Sequence, residues 1–267
     1  MQTIKHILQG LVLISFLFLS RCNESPKTAD NTHTDTSALA KKDAAIGPVY
    51  DPVIDALIVG AAFTKKLADS LGLQIIELTL KPGDSLPMHS HTDHAFYLMD
   101  TSTAVVYVPG QSEGDTLSGA VPGIGWVIGP FTDAAKNIGK TTIRAVEVAV
   151  HRPRGVEIPA NPAYDSTIDA FSLGGESIHK LADTLGIKMF IVTMKPGDTA
   201  KLHSHPDHTV YVLEGGELAV TIQGGQRQIM KMQKGMGLVD GPLSDAAKNI
   251  GKTTIKLLMT HIYRPRG

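Results

Sequence analysis

The stretch "KLADSLGLQIIELTLKPGDSLPMHSHTDHAFYLM" at 66 to 99 is matched without a gap by "KLADTLGIKMFIVTMKPGDTAKLHSHPDHTVYVL" at 180 to 213, and "DAAKNIGKTTI" recurs verbatim at 133 to 143 and 245 to 255. The first copy closes on "HRPRG" at Gly155 and the second on "YRPRG" at Gly267. A chain that repeats itself in this way is expected to fold as two copies of one unit, so any site built by one copy has a counterpart in the other. The offset falls from 114 residues at the histidines to 112 at the verbatim stretch, which puts a two-residue difference inside the unit. The expected domains are 47–155 and 167–267, joined by "VEIPANPAYDS" (156–166), where Pro159 and Pro162 deny a regular element.

Within each copy the apolar pattern has the period of strands. "HTVYVLEGGELAVTIQGGQRQIMKM" sets Val210, Val212, Leu218, Val220 and Ile222 at alternate positions, with "EGGE" and "QGGQ" as turns between them. The first copy carries "AVVYVPGQSEGDTLSG" in the same region, with similar Gly and Pro punctuation. Short helices are expected ahead of the first strands, within "ALIVGAAFTKKLADSLG" (56–72) and "ESIHKLADTLG" (176–186), ended by Gly72 and Gly186. The natural assembly is all-β, a small barrel or sandwich in each copy, because closure hides the strand edges. A chain of 267 residues with 42% hydrophobic and 19% charged residues is large enough for two such cores.

The N-terminus reads as a targeting segment. "MQTIKHILQGLVLISFLFLSRC" has a basic Lys5, an apolar run from Ile7 to Leu19 and then Cys22, the chain's only cysteine. The run falls short of the ~20 apolar residues that a membrane span needs, so residues 1–22 are expected to be an export signal. Leu19, Ser20 and Cys22 resemble a bacterial lipobox, in which the cysteine becomes the lipid-modified first residue, although Arg21 stands where that pattern has a small residue. The other reading of Cys22 is a free thiol after an ordinary signal. Residues 23–46 are polar, with almost no large apolar side chain, and read as a disordered tether; His33 in it has no neighbour that would make it a ligand. The expected location is therefore the periplasm or outer surface, with membrane attachment only through a lipid at Cys22. A net charge of −1, with no basic run interleaved with aromatics, excludes nucleic acid as a partner.

Six of the eleven histidines fall in "HSHTDH" (89–94) and "HSHPDH" (203–208). Residues two apart on a strand share a face, so His89 with His91, and His203 with His205, present paired imidazoles. A lone histidine on a β face is commonly a hydrogen-bonded core group, but the same triplet in both copies points to metal ligation. Ser90 and Ser204 would alternate to the opposite face and are set aside as nucleophiles.

"KPGD", then "HSHPDHTVYVLEGG", then "KGMGLVDGPLSDAAKNIGKT" resembles the two motifs of the cupins over about 66–155 and 180–267. The resemblance implies two tandem cupin barrels (the double-stranded β-helix or jelly-roll fold), each holding a divalent metal. That family includes dioxygenases, decarboxylases, sugar isomerases, seed-storage proteins and ligand-binding domains. Two departures stand out. His94 and His208 occupy the position of the family's glutamate, and Asp133 and Asp245, four residues before Asn137 and Asn249, occupy that of its second-motif histidine. The two changes compensate, keeping three imidazoles and one carboxylate. The expected ligands are His89, His91, His94 and Asp133 in the first unit and His203, His205, His208 and Asp245 in the second; the alternative for the aspartates is a turn or helix cap. An imidazole-rich set suits Fe, Mn, Zn, Ni or Cu better than Ca or Mg.

Both copies carry the full set, so up to two ions are expected per chain, and the less regular "MDTSTAVVYVPG" makes the first site the one expected to be empty. Glu147, His151 and His261 share the alternating face of Ile143 and Ile255 on the last strands, which leaves two readings: one of them lines a pocket or, as favoured for a terminal strand, they make ordinary solvent contacts. Trp126, Phe96 and Tyr97 suit an aromatic or sugar ligand and equally suit a core. Two function classes remain: a metal-dependent oxygenase, isomerase or lyase acting on a small molecule, or a non-catalytic exported binding or scaffold protein with structural or vestigial metal sites.

Overall fold

The computed structural model describes residues 49–100, 102–155 and 163–266. The expected export signal with Cys22, the tether with His33, and most of the link between the units lie outside these residues. The first unit runs β1 (Thr64–Ser70), β2 (Leu73–Leu80), β3 (Ser85–His91), β4 (Asp93–Leu98), β5 (Ser102–Tyr107), β6 (Asp115–Ala120), β7 (Gly125–Ile128), β8 (Phe131–Asn137) and β9 (Ile143–Val150). The second runs β10 (Ile178–Thr184), β11 (Ile187–Met194), β12 (Thr199–His205), β13 (Asp207–Glu214), β14 (Gly216–Ile222), β15 (Arg227–Met232), β16 (Gly237–Asp240), β17 (Leu243–Asn249) and β18 (Ile255–Ile262). Each unit pairs a five-stranded sheet, β1-β2-β9-β4-β7 or β10-β11-β18-β13-β16, with a four-stranded one, β3-β8-β5-β6 or β12-β17-β14-β15. The strand order is the same in the two units and all the pairings are antiparallel, the arrangement of a jelly roll.

The helices are shorter than expected. Only Ala56–Val59 (α1) and Ala170–Leu173 (α2) are α-helical among the described residues, each capped by an aspartate, Asp55 or Asp169. The stretch 176–186, expected to hold a helix, is instead a 3₁₀ turn (Gly175–Ser177) followed by strand β10, and the tail of the 56–72 stretch is strand β1. The reason is local. Leu71 and Gly72 have φ of 56° and 69°, and Leu185 and Gly186 have 55° and 69°. Two successive left-handed residues make the tight turn that joins two twisted strands, and the glycines act in hairpins instead of ending helices.

The five-stranded sheets are buried on both faces, and alternation sorts their residues. Ile143 and Ala145 of β9 face the first barrel's interior with Leu80, Leu86 and Leu98, while Val146, Val148 and Val150 face the other barrel. There they meet Leu73, Ile75, Ile187, Met189, Tyr211, Leu258 and Ile262 in one core contributed by both units. The second barrel's own interior is larger, with Phe190, Met194, Val210, Val212, Leu218, Met232 and Ile255 among its buried members. Val210, Val212 and Leu218 thus lie inside as the alternation implies, whereas Ile222 at the end of β14 is exposed. Phe96 and Trp126 stack at 4.8 Å across β4 and β7, and Tyr97 joins the shared core.

The two "RPRG" ends lock the barrels together by crossing over. The Nε of Arg152 donates to the carbonyl of Leu71 in its own barrel's hairpin turn, and its Nη1 reaches across to Asp207 at 2.8 Å. Arg264 mirrors it, donating to Leu185 O and, at 2.7 Å, to Asp93 of the first barrel. Arg154 and Arg266 complete the pairs from the outside, on Asp93 and Asp207 respectively. Arg152 and Arg264 are buried, and each leaves its Nη2 without a partner. Burial raises the carboxyls of Asp93 and Asp207, but hydrogen bonds from these arginines outweigh it and hold both below the usual range.

Candidate metal centres

Each centre is built where the two sheets of a barrel meet. Strand β3 pairs with β8 so that His89 lies opposite Asp133 and His91 opposite Phe131; β12 pairs with β17 so that His203 lies opposite Asp245 and His205 opposite Leu243. In both cases the register slips just before the first histidine, between Leu86 and His89 and between Ala200 and His203. A bulge of this kind bends the strand and turns the following side chains to a new direction. His94 and His208 follow on β4 and β13, in the other sheet. Ser90 and Ser204 point away, as alternation requires, and accept hydrogen bonds from the backbone of Asp51 and Asp165 at 2.9 and 2.8 Å. They tie down the segment ahead of each helix.

The structure brings His89, His91 and Asp133 together, all buried: Asp133 Oδ1 lies 3.4 Å from His89 Nε2 and 3.2 Å from His91 Nε2. His94 is stacked on His91 at 4.6 Å and groups with it and with Glu147. In the second barrel Asp245 lies 3.4 Å from His203 Nε2 and 3.8 Å from His205 Nε2, and His208 stacks on His205 at 4.7 Å. Asp133 and Asp245 lie within strands and neither caps a helix.

Hydrogen bonds on the far nitrogens orient these imidazoles. The Nδ1 atoms of His89 and His94 lie 2.8 Å from the carbonyls of Pro87 and Thr92, and those of His203 and His208 lie 2.7 and 2.9 Å from the carbonyls of Lys201 and Pro206. A carbonyl only accepts, so each Nδ1 carries the proton and each Nε2 keeps a lone pair, and those of His89 and His203 face Asp133 and Asp245. The middle histidines differ from these and from each other. His91 Nδ1 faces the carboxylate of Glu147 at 3.1 Å, whereas His205 Nδ1 faces Nε2 of His261 at 3.0 Å. His261 continues through its Nδ1 to the Tyr263 hydroxyl, which donates to Asp169 at 3.0 Å.

Glu147 and His261 are therefore buried parts of the centres, contrary to their reading as solvent-facing positions. The signal was their shared face with Ile143 and Ile255; what hid them was the burial of the last strand on both of its faces. His151 does lie at the surface, where it meets Gln74 at 3.2 Å and the ring of Tyr50.

The electrostatics follow from these neighbours. Burial works against a charged His91, but Glu147 and then Asp133 outweigh it and hold the imidazole up at about 10. Glu147 is raised by burial and lowered by His91 and its fellow histidines, with a net fall to about 2. His205 and His261 are driven well below the ordinary imidazole range, first by burial and then by the charge of His208. Burial raises the Asp245 carboxyl against the opposing pull of His203 and His208.

The donor set fits a transition dication. Ligands around a tetrahedral ion with bonds of about 2.1 Å stand about 3.4 Å apart, close to the 3.2 and 3.4 Å between Asp133 and its two imidazoles. Imidazole nitrogens and a single carboxylate do not match the all-oxygen shell of calcium. Among the described residues no helix is long and apolar enough to cross a membrane.

No protein-family model and no curated protein matches the chain. Solved structures do. AerE from Microcystis aeruginosa superposes with a TM-score of 0.54 at 10% identity, over 75% of this chain and 92% of that one. Oxalate decarboxylase from Lactobacillus farciminis, in complex with formate, gives 0.53 at 16% identity over 76% and 82%. The 7S globulin of Momordica charantia gives 0.52 at 12% identity over 73% and 74%. At such identities the likeness concerns architecture, and with the sheet order described above it gives this chain the fold of two tandem cupin barrels.

Proposed function

We propose that the chain is an exported protein that binds a divalent transition metal in each of its two barrels and acts through them on a small molecule, as a metal-dependent oxygenase, isomerase or lyase. The observation that carries the metal reading is the grouping of His89 and His91 with Asp133 and of His203 and His205 with Asp245, with the Nδ1 atoms of His89, His94, His203 and His208 all committed to carbonyls so that their Nε2 lone pairs stay free. Histidines retained only as packing have no reason to adopt one tautomer four times. His89, His91, His94 and Asp133 would hold one ion, and His203, His205, His208 and Asp245 the other. Iron, manganese, zinc, nickel and copper all suit these donors. A bound dication would supply a Lewis acid for a substrate oxygen. The protein's part is to fix the imidazoles, to place a carboxylate opposite them and, in the first barrel, to cover them with Phe131, stacked 4.9 Å from His91.

Fold neighbours do not decide the activity, since one of them is titled an oxalate decarboxylase and another a globulin. The covered first centre favours a second reading for that barrel, a structural ion in a binding or scaffold protein. Metal analysis of the purified chain, followed by oxygen uptake and product analysis with small carboxylic acids and phenols, separates the two readings. Stoichiometric metal with turnover supports the enzyme, and stoichiometric metal without turnover supports the scaffold. Export and lipid attachment at Cys22 rest on the sequence, and Cys22→Ser tests the anchor. Loss of lipid labelling and release from the membrane fraction are expected.

A further inference from the structure

The two centres match in their four proposed ligands and differ in what stands behind and above the middle histidine. In the first barrel the group behind it is Glu147, a carboxylate buried to 6% exposure; in the second it is His261, an imidazole at 0%. These two residues are not counterparts. At the offset of 112, Glu147 aligns with Met259 and His261 with Ala149, so each barrel delivers its own group from a different rung of the last strand. Both arrive at the same atom, Nδ1 of the middle histidine.

The cover differs too. Phe131 lies parallel to His91 and His94, at 4.9 and 5.7 Å with interplanar angles of 10° and 16°, where the second barrel has Leu243. The side chains of His89 and Asp133 are 3% and 8% exposed, against 14% for both His203 and Asp245.

We infer that the two ions are not equivalent: the first barrel retains its ion and the second exchanges its ion with solvent, with Glu147 as the positioning residue that makes the difference. The inference rests on the metal reading above. A carboxylate accepting the Nδ1–H of a ligating imidazole makes that ring a stronger donor and adds one negative charge beside the cation. A neutral imidazole in the same place orients the ligand but adds no charge. His261 is set as an acceptor because its other nitrogen donates to Tyr263, whose hydroxyl proton is in turn taken by Asp169. The face with the ring stacked over it opens less readily to water than the face without one. A buried, covered site of this kind is a structural one, and the less covered second site is where a small molecule reaches an ion. This order reverses the expectation, drawn from the drift of the first copy's hairpin, that the first site is the empty one.

The test follows ion release from the full chain. Metal-free protein is loaded with Zn²⁺, freed of excess and mixed with a coloured chelator. Two release phases are expected. The slow phase should survive in His203→Ala/His205→Ala and the fast phase in His89→Ala/His91→Ala. Glu147→Gln keeps the shape and removes the charge, and should speed the slow phase by about 10- to 100-fold, the usual effect of removing such a partner, with the fast phase unchanged. Phe131→Leu, which copies Leu243, should speed release without lowering occupancy in limiting Zn²⁺. A single phase for both ions, a slow phase assigned to the second barrel, or a slow phase that Glu147→Gln leaves alone would overturn the inference while leaving the metal reading intact. Parent protein that keeps no Zn²⁺ would overturn the metal reading and this inference together. Thermal unfolding of parent and Glu147→Gln with and without Zn²⁺ separates a change in the ion's environment from a change in folding, because a purely structural role would lower the unfolding temperature by the same amount in both states.

Discussion

The first barrel has the smaller interior and the more enclosed candidate metal site; the second has the larger interior and the more open one. Leu80, Leu86, Leu98, Ile143 and Ala145 are the buried members of the first core, while the second includes Phe190, Met194, Met232 and Met259. The exchange is visible along a single strand. On β9 the inward positions read Ile143, Ala145, Glu147, Ala149, and on β18 they read Ile255, Leu257, Met259, His261. The first barrel gives up an apolar residue in mid-strand to place a carboxylate there, and the second keeps methionine in the core and places its polar group one rung later. Because side chains on a strand repeat every two residues, moving the group by two positions keeps it on the same face. Two copies of one unit can thus differ in the chemistry behind a ligand without disturbing the ligands.

Other features are held in common, and they show how far the barrels are equivalent. The largest expected effect lies in the crossed arginines. Arg264→Met leaves Asp93 with only Arg154, which is itself half-exposed, and Arg152→Met leaves Asp207 with only Arg266. Removing one partner of a buried ion pair typically costs about 3–5 kcal/mol. Each variant should lose about that much in urea unfolding, and the two losses should agree. Unequal losses would mean that the lock, too, has diverged between the barrels.

A step smaller is the asparagine of each second motif. Asn137 donates to the carbonyls of Leu80 and Thr141 and accepts from Gly139 N; Asn249 does the same with Met194, Thr253 and Gly251. Both are fully buried. Alanine at either position removes the donor to one buried carbonyl, that of Leu80 or of Met194, at a cost of about 1–3 kcal/mol. The cost should be the same in the two barrels and the same with or without metal, measured by thermal unfolding in chelator and in Zn²⁺. A cost that changed with metal would make the asparagine part of the centre.

Much of this was legible from residues alone, and the parts that were not share a cause. The paired H-x-H stretches mark the centres because a spacing of two puts imidazoles on one strand face, and the third histidine of each stretch comes in from the next strand, β4 or β13. The alternation around Val210, Val212 and Leu218 likewise gives the strands directly, although β13 and β14 lie in different sheets and only β14 and β15 form a hairpin. Glu147 and His261 were misread because a last strand was taken as an edge open to water, whereas β9 and β18 each run between two neighbours of a sheet that is buried on both faces. Aligning the copies did not help, since each residue faces a methionine or an alanine in the other copy. The crossed arginines were hidden for another reason: "RPRG" has no periodicity, and its partners are 55 and 171 residues away. The helix expected at 176–186 failed on a turn that needs two left-handed residues, the first of them a leucine.

The smallest expected effect tests the hydrogen-bond chain behind the second centre. Tyr263→Phe removes the hydroxyl that stands between His261 Nδ1, at 3.3 Å, and Asp169, at 3.0 Å. Without that acceptor His261 is free to take the other tautomer, with its proton on Nε2 facing His205 Nδ1. Two N–H groups would then oppose each other unless His205 also moved its proton, and that would occupy the Nε2 proposed to bind the ion. The substitution keeps the aromatic ring that packs beside Tyr164 and Lys188, so the fold should be little changed. The expected result is a loss of Zn²⁺ affinity of about three- to tenfold at the second site, roughly 0.6–1.4 kcal/mol, and none at the first, read by competition with a chelator in the two single-site backgrounds. The counterpart of Tyr263 at the offset of 112 is His151, which bonds to Gln74 at the surface and forms no link to Glu147. His151→Phe should therefore leave both affinities alone. If Tyr263→Phe weakened both sites equally, or His151→Phe weakened the first as much, the hydrogen bonds behind the middle histidine would not be what sets the two centres apart, and Phe131 would remain as the difference.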